Sequence, residues 1–325
     1  MSDTDQPLNE VIKPRLGVSA CTIGEKVRFD GGHKQSEFLL KELAQWVTFV
    51  PFCPEVKAGL GVPRPAIRLA SIDGQLRVIG SKKADLDVTD ALVFASDELV
   101  EQASDLTGFV FCAKSPSCGM ERVKVYLQSG DPLAQTQSGI FADKLMKCYP
   151  AMPCEETGRL NDQLLRESFL CRLFSYARWQ TICQNGLTAA MLLDFHQRHK
   201  MLLMAHSERH YRQAGPMLSD LKAQPLTELA ERYIQLVMDG LRVVATRKKH
   251  TNVLMHLQGY FKKNLEKVDK SALTEMILRY QQGLLPLTAP LEMLKHHLRH
   301  YPDSYLQLQY YFQPYPEALR VQSVI

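Results

Sequence analysis

Three cysteines follow apolar runs that have the composition of buried strands. They are Cys21, Cys53 and Cys118, and each stands past a run rich in Val, Phe or Leu that ends at a small residue or a proline. Because loops at the carboxyl ends of neighbouring parallel strands meet in one crevice, we expect the three thiols to lie together. Thiolate is a soft ligand, and three protein ligands leave one coordination position open. The pattern therefore predicts a soft-metal site that supports chemistry.

Spacing alone leaves an alternative open, namely three unrelated cysteines that fill small core positions. The separations of 32 and 65 residues match no compact zinc-ribbon or ferredoxin pattern. The other cysteines fit a core role, and they are Cys112, Cys148, Cys154, Cys171 and Cys183. All eight precede residue 188, so a thiolate-rich site must lie in the first part of the chain.

The composition is that of an ordinary globular protein. The chain has 325 residues, 45% of them hydrophobic and 23% charged, and this length predicts about two domains. The N-terminus lacks the basic and apolar regions of a signal peptide, and no apolar run has the length of a transmembrane helix. We therefore expect a cytoplasmic protein, in which cysteines serve as ligands or catalysts more often than as disulfides.

Residues 1–186 predict an α/β domain with a Rossmann-like, mostly parallel sheet. Residues 1–14 are expected to form a loose leader. Core strands are expected before Cys21 and Cys53 and over 109–113, a hairpin at Asp73-Gly74, and an extension of the sheet over 123–127. Residues 91–95 fit either a strand or part of a helix. The expected helices cover 36–46, 140–147 and 155–184.

Residues 187–325 predict an all-α domain, because apolar residues recur at spacings of three and four. The expected helices cover 188–206, 226–247, 249–267, 271–281 and 287–300, with a loop at Gly215-Pro216. From residue 188 onward, 18 Lys and Arg stand against 12 Asp and Glu, a net charge of +6, and nine of the ten histidines are found there. Such a basic domain suits a polyanion, and the alternative is a solvated helical face with ion pairs.

Several motifs in combination resemble the bacterial thiouracil desulfidase family. They are Ser19-Ala-Cys21-Thr-Ile-Gly24, Val27-Arg-Phe-Asp-Gly-Gly-His-Lys34, Cys53-Pro-Glu55, Lys114-Ser-Pro-Ser-Cys118-Gly119 and Pro153-Cys-Glu-Glu-Thr-Gly-Arg-Leu-Asn-Asp162. Further motifs resemble the helical domain that is fused to this module in tRNA 4-thiouridine desulfidases. These are Phe195-His-Gln-Arg-His-Lys200, Met204-Ala-His-Ser207 and Ala245-Thr-Arg-Lys-Lys-His-Thr-Asn-Val-Leu-Met-His256.

The resemblance implies a [4Fe-4S] cluster held by Cys21, Cys53 and Cys118. Its fourth iron, which has no protein thiolate, would bind the thiocarbonyl sulfur of a substrate and polarise the C=S bond. Water would then replace sulfur with oxygen, so the implied activity is a non-redox desulfidase reaction with cleavage of the C–S bond.

The resemblance and the tethering to the ligands also select residues around the cluster. Glu55 is the expected general acid/base, and Ser115 is expected to hydrogen-bond the base or the attacking water. The residues expected to bind substrate are Arg28, Asp30, Lys114 and Ser117. Structural alternatives stay open for three of these positions. Glu55 could be a solvent-facing loop glutamate in a salt bridge, Ser115 a turn serine before Pro116, and Asp30 part of a tight turn.

For the helical domain, the resemblance implies that the partner is tRNA containing 4-thiouridine. The residues expected to contact its phosphates are Lys200, Arg247, Lys248, Lys249 and His250. Two alternatives stay open. One is the same chemistry on free thiouracil or thionucleosides, with the helical domain serving dimerisation. The other is a non-catalytic iron–sulfur sensor that binds nucleic acid.

Overall fold

A computed structural model describes residues 12–83, 85–219, 221 and 224–320. The leader predicted at residues 1–14 therefore lies outside the described residues, except for 12–14. The chain forms two compact units, one of residues 13–169 and the other built on residues 170–320. This division falls earlier in the chain than the boundary predicted at residue 186. Within the described part of the chain, no helix is both long and apolar enough to cross a membrane.

The described part of the N-terminal unit contains eight strands in two sheets. They are β1 (Arg15–Ser19), β2 (Thr48–Phe52), β3 (Ile67–Ile72), β4 (Gln75–Gly80), β5 (Gly108–Phe111), β6 (Val123–Leu127), β7 (Pro132–Gln137) and β8 (Cys154–Glu156). The first sheet has the order β2-β1-β5-β8, and every pair in it is parallel. The predicted α/β class is confirmed by this sheet and by the helices that follow its strands.

The centre of the first sheet is buried because β1 and β5 present apolar side chains. Leu16 and Val18 of β1 and Phe109 of β5 are fully buried. Burial of each side chain of this size contributes about 1.5–3 kcal/mol relative to exposure. Gly17 pairs with Phe109 across the two strands, and a Cβ at Gly17 would lie only 2.4 Å from the Phe109 ring. Glycine is therefore required where this ring crosses β1.

The second sheet, of order β4-β3-β6-β7, was not expected from the sequence. The hairpin at Asp73-Gly74 is confirmed, and it turns through two residues with positive φ. The prediction that 123–127 extends the first sheet was wrong. Instead β6 pairs with β3, because Val123 and Val125 join a separate core with Leu69 and other apolar side chains.

The α-helices that lie wholly within the N-terminal unit are α1 (Pro54–Lys57), α2 (Thr89–Glu101) and α3 (Ile140–Cys148), and a π-helix covers Phe38–Leu43. The ambiguous segment 91–95 thus belongs to a helix. The helix predicted from residue 155 begins only at Gln163, because Cys154–Glu156 pairs with β5 as an edge strand. Apolar periodicity favours helix there, but the strand's hydrogen bonds decide the structure.

The remaining helices are α4 (Gln163–Gln184), α5 (Ala189–His206), α6 (Glu208–Met217), α7 (Leu226–Arg242), α8 (Arg247–Tyr260), α9 (Lys267–Gln281), α10 (Thr288–His300) and α11 (Ser304–Gln307). The predicted all-α class of this region is confirmed. Thr188, Ser207 and Thr246 cap α5, α6 and α8 by accepting a backbone N–H. The predicted loop at Gly215-Pro216 was wrong, since both residues lie in the last turn of α6, where proline ends the helix.

Candidate functional site

A cavity of about 290 Å³ lies at the carboxyl ends of β1, β2 and β5. All three predicted cysteines line it: Cys21, Cys53 and Cys118. A fourth cysteine, Cys112, lines it as well, although the sequence suggested only a core role for it. The sheet thus brings together thiols that are 32 and 65 residues apart in the chain.

Each thiol is placed by the turn that follows its strand. Cys21 lies in a 3-10 turn (Ala20–Ile23) that ends at Gly24, whose φ is +99°. Cys53 precedes the short helix α1, which begins with Pro54. The buried Ser19 side chain accepts a hydrogen bond from the Cys112 amide at 2.9 Å, and this contact ties the ends of β1 and β5 together.

The loop that carries Cys118 rests on the N-terminus of α3. Backbone N–H groups of Ile140 and Phe141 donate to the carbonyls of Pro116 and Ser117, both at 3.0 Å. These are groups that a helix leaves without intrahelical partners. Gly139 makes the approach feasible, because a Cβ there would lie 2.6 Å from the Ser117 carbonyl carbon. The ligand loop is therefore fixed through its backbone.

The Glu55 carboxylate is held by different partners on its two oxygens. Its Oε2 accepts a hydrogen bond from Arg64 Nε at 2.9 Å, within an ion pair that is almost fully buried. Its Oε1 accepts from the hydroxyl of Ser117 at 2.9 Å. The Ser115 hydroxyl lies 3.5 Å from the same oxygen. Glu55 lines the cavity and is not solvent-facing, and the salt bridge of its structural alternative is present, with Arg64 as the partner.

Ser115 and Ser117 contribute in different ways. The Ser115 oxygen accepts from the amides of Ser117 at 3.2 Å and Cys118 at 3.0 Å, so it shapes the turn that presents the thiol. Ser117 is fully buried and makes the shorter contact with Glu55. The sequence suggested Ser115 for the catalytic role and Ser117 for substrate, and the structure places both hydroxyls beside one carboxylate oxygen.

The remaining predicted substrate residues surround the mouth of the cavity, with one exception. Arg28 and Lys114 line the cavity, and Lys114 has a φ of +63°, a conformation that non-glycine residues rarely adopt. Asp30 is not among the lining residues. It pairs with Arg28 at 3.4 Å and accepts from the Gly32 amide at 3.0 Å, which lowers the pKa of its carboxyl and shapes the turn.

Sequence reasoning missed Lys34, Arg64 and Cys112, all of which line the cavity. Arg64 lies in a loop rich in glycine and proline, and its position between Pro63 and Pro65 was the one signal in the sequence. Nothing in the sequence separates Cys112 from an ordinary core cysteine.

The thiols of Cys21, Cys53 and Cys118 have raised pKa values, so they are poorly suited to ionise without a cation. Burial raises the pKa of Cys118 well above its usual range and also raises that of Cys53. A hydrogen bond between Cys21 and Cys112 raises the pKa of Cys21 and lowers that of Cys112 to about 7. A bound metal group compensates such thiolates, because ligand cysteines bind in the deprotonated form.

The donor set is chemically suited to a soft-metal group. Three cysteine thiols, those of Cys21, Cys53 and Cys118, line one cavity, and thiolates are the ligands that hold iron–sulfur clusters in proteins. Lys34 and Arg28 add positive charge beside the thiols. Cys21, Cys53 and Cys118 thus fit as ligands of an iron–sulfur cluster.

The predicted RNA-binding residues lie in different environments. Lys248 is exposed. Lys249 Nζ donates to the His206 carbonyl at 2.6 Å, and Arg247 donates to the carbonyls of Tyr280 and Leu285, both at 3.4 Å. His250 is half-buried against the Tyr311 hydroxyl at 3.0 Å, and burial lowers the pKa of its ring to about 3. The side chains of Arg247, Lys249 and His250 therefore contact neighbouring segments of the helical domain.

A second basic feature lies at the end of α8. An open hollow of about 380 Å³, here called the basic hollow, is lined by His256, Tyr260, Lys262, Lys263 and Asn264, together with Gly259. Tyr260 is 43% exposed and stacks on Tyr305 with ring centroids 5.4 Å apart. The predicted Lys200 places its Nζ 4.5 Å from the Tyr305 ring centroid, so it lies next to this aromatic pair.

The comparisons with known proteins agree with this division of the chain. Residues 16–157, which include all three strand-end cysteines, match the family model described as 2-thiouracil desulfurase. Residues 200–316 match a second family model, described as a protein of unknown function (DUF1722). Fold and site thus agree with an α/β domain of the 2-thiouracil desulfurase class, followed by a helical domain.

Individual proteins are similar to parts of the chain. The uncharacterized protein YbgA of Escherichia coli (strain K12) is 37% identical over 164 residues, which are 50% of this chain and 97% of YbgA. The chain belongs to the family of this protein. A solved structure of the [4Fe-4S]-dependent thiouracil desulfidase TudS matches 48% of this chain and 99% of its own, with 25% identity and a TM-score of 0.38.

Proposed function

We propose that the chain is a [4Fe-4S]-dependent desulfidase that converts 4-thiouridine in tRNA to uridine. The observation that carries the proposal is the meeting of three strand-end thiols and the Glu55 carboxylate in one cavity. The match of residues 16–157 to the 2-thiouracil desulfurase family supports the reaction class. We place the protein in the cytoplasm, because this reducing compartment keeps cysteine ligands as thiols and not as disulfides. The RNA part of the proposal is supported by the basic helical domain alone.

In this proposal Cys21, Cys53 and Cys118 hold the cluster. When bound, the cluster would supply a Lewis-acidic iron without a protein thiolate, and such an iron would favour a thiocarbonyl sulfur and polarise its C=S bond. Glu55 Oε1 accepts one proton from water as the water oxygen adds to the ring carbon, and returns it to sulfur. It then accepts the proton of the new hydroxyl as C=O forms and the C–S bond breaks, which releases hydrosulfide. The C=S group and water thus become C=O, hydrosulfide and a proton that Glu55 passes to solvent, with no net change in oxidation state.

Protein purified under anaerobic conditions tests the proposal directly. We expect sulfide release from tRNA that contains 4-thiouridine, with conversion of the nucleoside to uridine in a digest of the product. Release from free thiouracil or 4-thiouridine, with none from tRNA, would support the same chemistry on a small substrate. A protein that retains iron and acid-labile sulfide yet releases no sulfide from any of these substrates would favour the sensor.

The cluster-binding loop provides the first prediction. Gly139→Ala is expected to lower the iron content per chain, because the new methyl group collides with the Ser117 backbone and displaces the loop that carries Cys118. Overpacking of this kind destabilises by about 1–3 kcal/mol. Iron content and the melting temperature of the metal-free protein are the measurements.

Gly158→Ala is the matched control for this substitution. Nothing lies within 4 Å of a Cβ at Gly158, and neither glycine has a positive φ. The two substitutions therefore differ in steric contact and not in backbone strain. Equal iron contents in the two variants would contradict the assigned role of Gly139.

The RNA part of the proposal predicts a salt-dependent interface at the basic hollow. Because Lys262 and Lys263 are exposed and line it, the double substitution Lys262→Gln/Lys263→Gln is expected to weaken tRNA binding. The slope of log affinity against log salt should fall by about 1 for each phosphate that the variant no longer neutralises. Full-length protein and unmodified tRNA are sufficient for this measurement.

Lys248→Gln is the companion variant, because Lys248 is the exposed member of the segment predicted from the sequence. A weakening confined to Lys248→Gln would place the interface at the start of α8 instead of its end. Unchanged affinity and salt slope in both variants would contradict RNA binding through either surface.

A further inference from the structure

All three guanidinium nitrogens of Arg64 donate hydrogen bonds at the cavity. Its side chain is 3% exposed. Nε donates to Glu55 Oε2 at 2.9 Å, and Nη2 pairs with the same oxygen. Nη2 also donates to the Val27 carbonyl at 2.8 Å, and Nη1 to the Gly61 carbonyl at 2.9 Å. Its backbone N–H donates to the Phe29 carbonyl at 2.9 Å. One residue therefore connects three segments of the cavity wall.

These contacts make the two oxygens of Glu55 inequivalent. Oε2 is directed toward the guanidinium of Arg64, while Oε1 lies beside the hydroxyls of Ser117 and Ser115. Oε1 accepts one short hydrogen bond, from Ser117 at 2.9 Å, while its contact with the Ser115 hydroxyl is long, at 3.5 Å. A second donor such as water can therefore compete for the acceptor position that Ser115 occupies weakly. The rigid fork of an arginine fixes the plane of a carboxylate, which a lysine ammonium cannot do.

We propose that Arg64 is a positioning residue that acts through Glu55: its guanidinium holds Oε2 and fixes the plane of the carboxylate, which leaves Oε1 on the side of the Ser117 hydroxyl. The inference rests on the proposed function, because it needs the Glu55 carboxylate to take part in the reaction. Buried ion pairs contribute little net stability compared with apolar packing, since desolvation offsets their attraction. The main effect of this pair is therefore on geometry, and displacement of a reacting group by about 1 Å lowers a rate by about 100-fold.

Arg64→Lys tests the inference because it retains the charge and most of the side-chain length. We expect kcat for sulfide release to fall by about 100-fold, with little change in KM. Iron and acid-labile sulfide per chain should stay at wild-type values. The melting temperature of the metal-free protein should fall, because a lysine cannot make all of the hydrogen bonds of Arg64 to Glu55, Val27 and Gly61. Arg77→Lys is the matched control, because Arg77 pairs with Asp87 at 2.7 Å and is not among the residues that line the cavity.

A double-mutant cycle separates action through Glu55 from an independent effect. In a Glu55→Gln background, Arg64→Lys should cause no further decrease in kcat, because the group that it positions is already absent. Decreases that multiply would overturn the inference. A lower iron content in Arg64→Lys would overturn it too, since Arg64 would then support the cluster and not the carboxylate.

Variants that do not fold, and the activity of the wild type, also test the role of Arg64. Arg64→Gln serves as a second variant if Arg64→Lys does not fold, and failure of both to fold would assign Arg64 to stability and overturn the inference. An active wild type whose Arg64→Lys variant keeps its kcat removes the inference alone. A wild type that binds iron but releases no sulfide from any thiopyrimidine removes the proposed function and the inference with it.

Discussion

Cys118→Ser is expected to yield protein that folds and holds no stable iron–sulfur cluster. A serine oxygen is a hard donor that ionises far less readily than a thiol, so it is a poor ligand for iron in a cluster. The position is buried and its loop is fixed on α3, so the loop cannot shift to present another donor. Iron and acid-labile sulfide per chain should fall to near zero, and desulfidase activity should disappear.

Cys148→Ser is the control for this substitution. Cys148 is exposed at the end of α3 and is not among the residues that line the cavity, so its substitution should leave iron content and activity unchanged. Full iron content and the wild-type visible absorption in Cys118→Ser would contradict the ligand assignment. In that case Cys112, which faces the same cavity, would be the next candidate for the third ligand.

The meeting of the three cysteines could be predicted because it depends on topology. Strands that read as buried and parallel must end at one edge of the sheet, and the residues that follow them must converge there. The hairpin at Asp73-Gly74 could be predicted for a similarly local reason, since both turn residues tolerate positive φ. These features need only short stretches of sequence and a general rule of chain geometry.

Other features depend on pairings that no short stretch specifies. β6 has apolar alternation that fits either sheet, and only its packing against Leu69 and Val78 places it in the second one. Arg64 could not be linked to Glu55 because the loop between them determines the contact. For the same reason Cys112 was indistinguishable from a core cysteine until its thiol was found against Cys21.

The basic residues at the start of α8 show that a charge pattern in the sequence does not predict which charges are exposed. A run of positive residues predicts a surface for polyanions, yet Lys249 contacts the end of α5 and His250 contacts Tyr311 in a turn after α11. The basic hollow is lined by fewer basic residues than the start of α8 contains. Two of them, Lys262 and Lys263, are exposed beside the aromatic pair of Tyr260 and Tyr305. Both ends of α8 have exposed cations, and the end of the helix also has an aromatic pair beside them, which is why the proposed RNA surface is placed there.

Glu55→Gln is expected to lower kcat for desulfidation by about 10²–10⁴-fold, the usual decrease when a general acid/base is removed. Glutamine has the shape of glutamate but cannot take up a proton from water at this position. Because Glu55 is not one of the proposed cluster ligands, iron and acid-labile sulfide per chain should match the wild type. The measurement is sulfide release under single-turnover conditions, with the iron content determined on the same sample.

Glu37→Gln is the matched control, since Glu37 is exposed and pairs only with Lys41 one helical turn away among the described contacts. Glu55→Asp adds a graded test, because it retains the carboxylate but withdraws it from Arg64 and Ser117 by one methylene. Its kcat should lie between those of the wild type and Glu55→Gln. A Glu55→Gln enzyme with wild-type kcat would contradict the acid/base role, because cluster content and proton transfer would then be independent of this carboxylate.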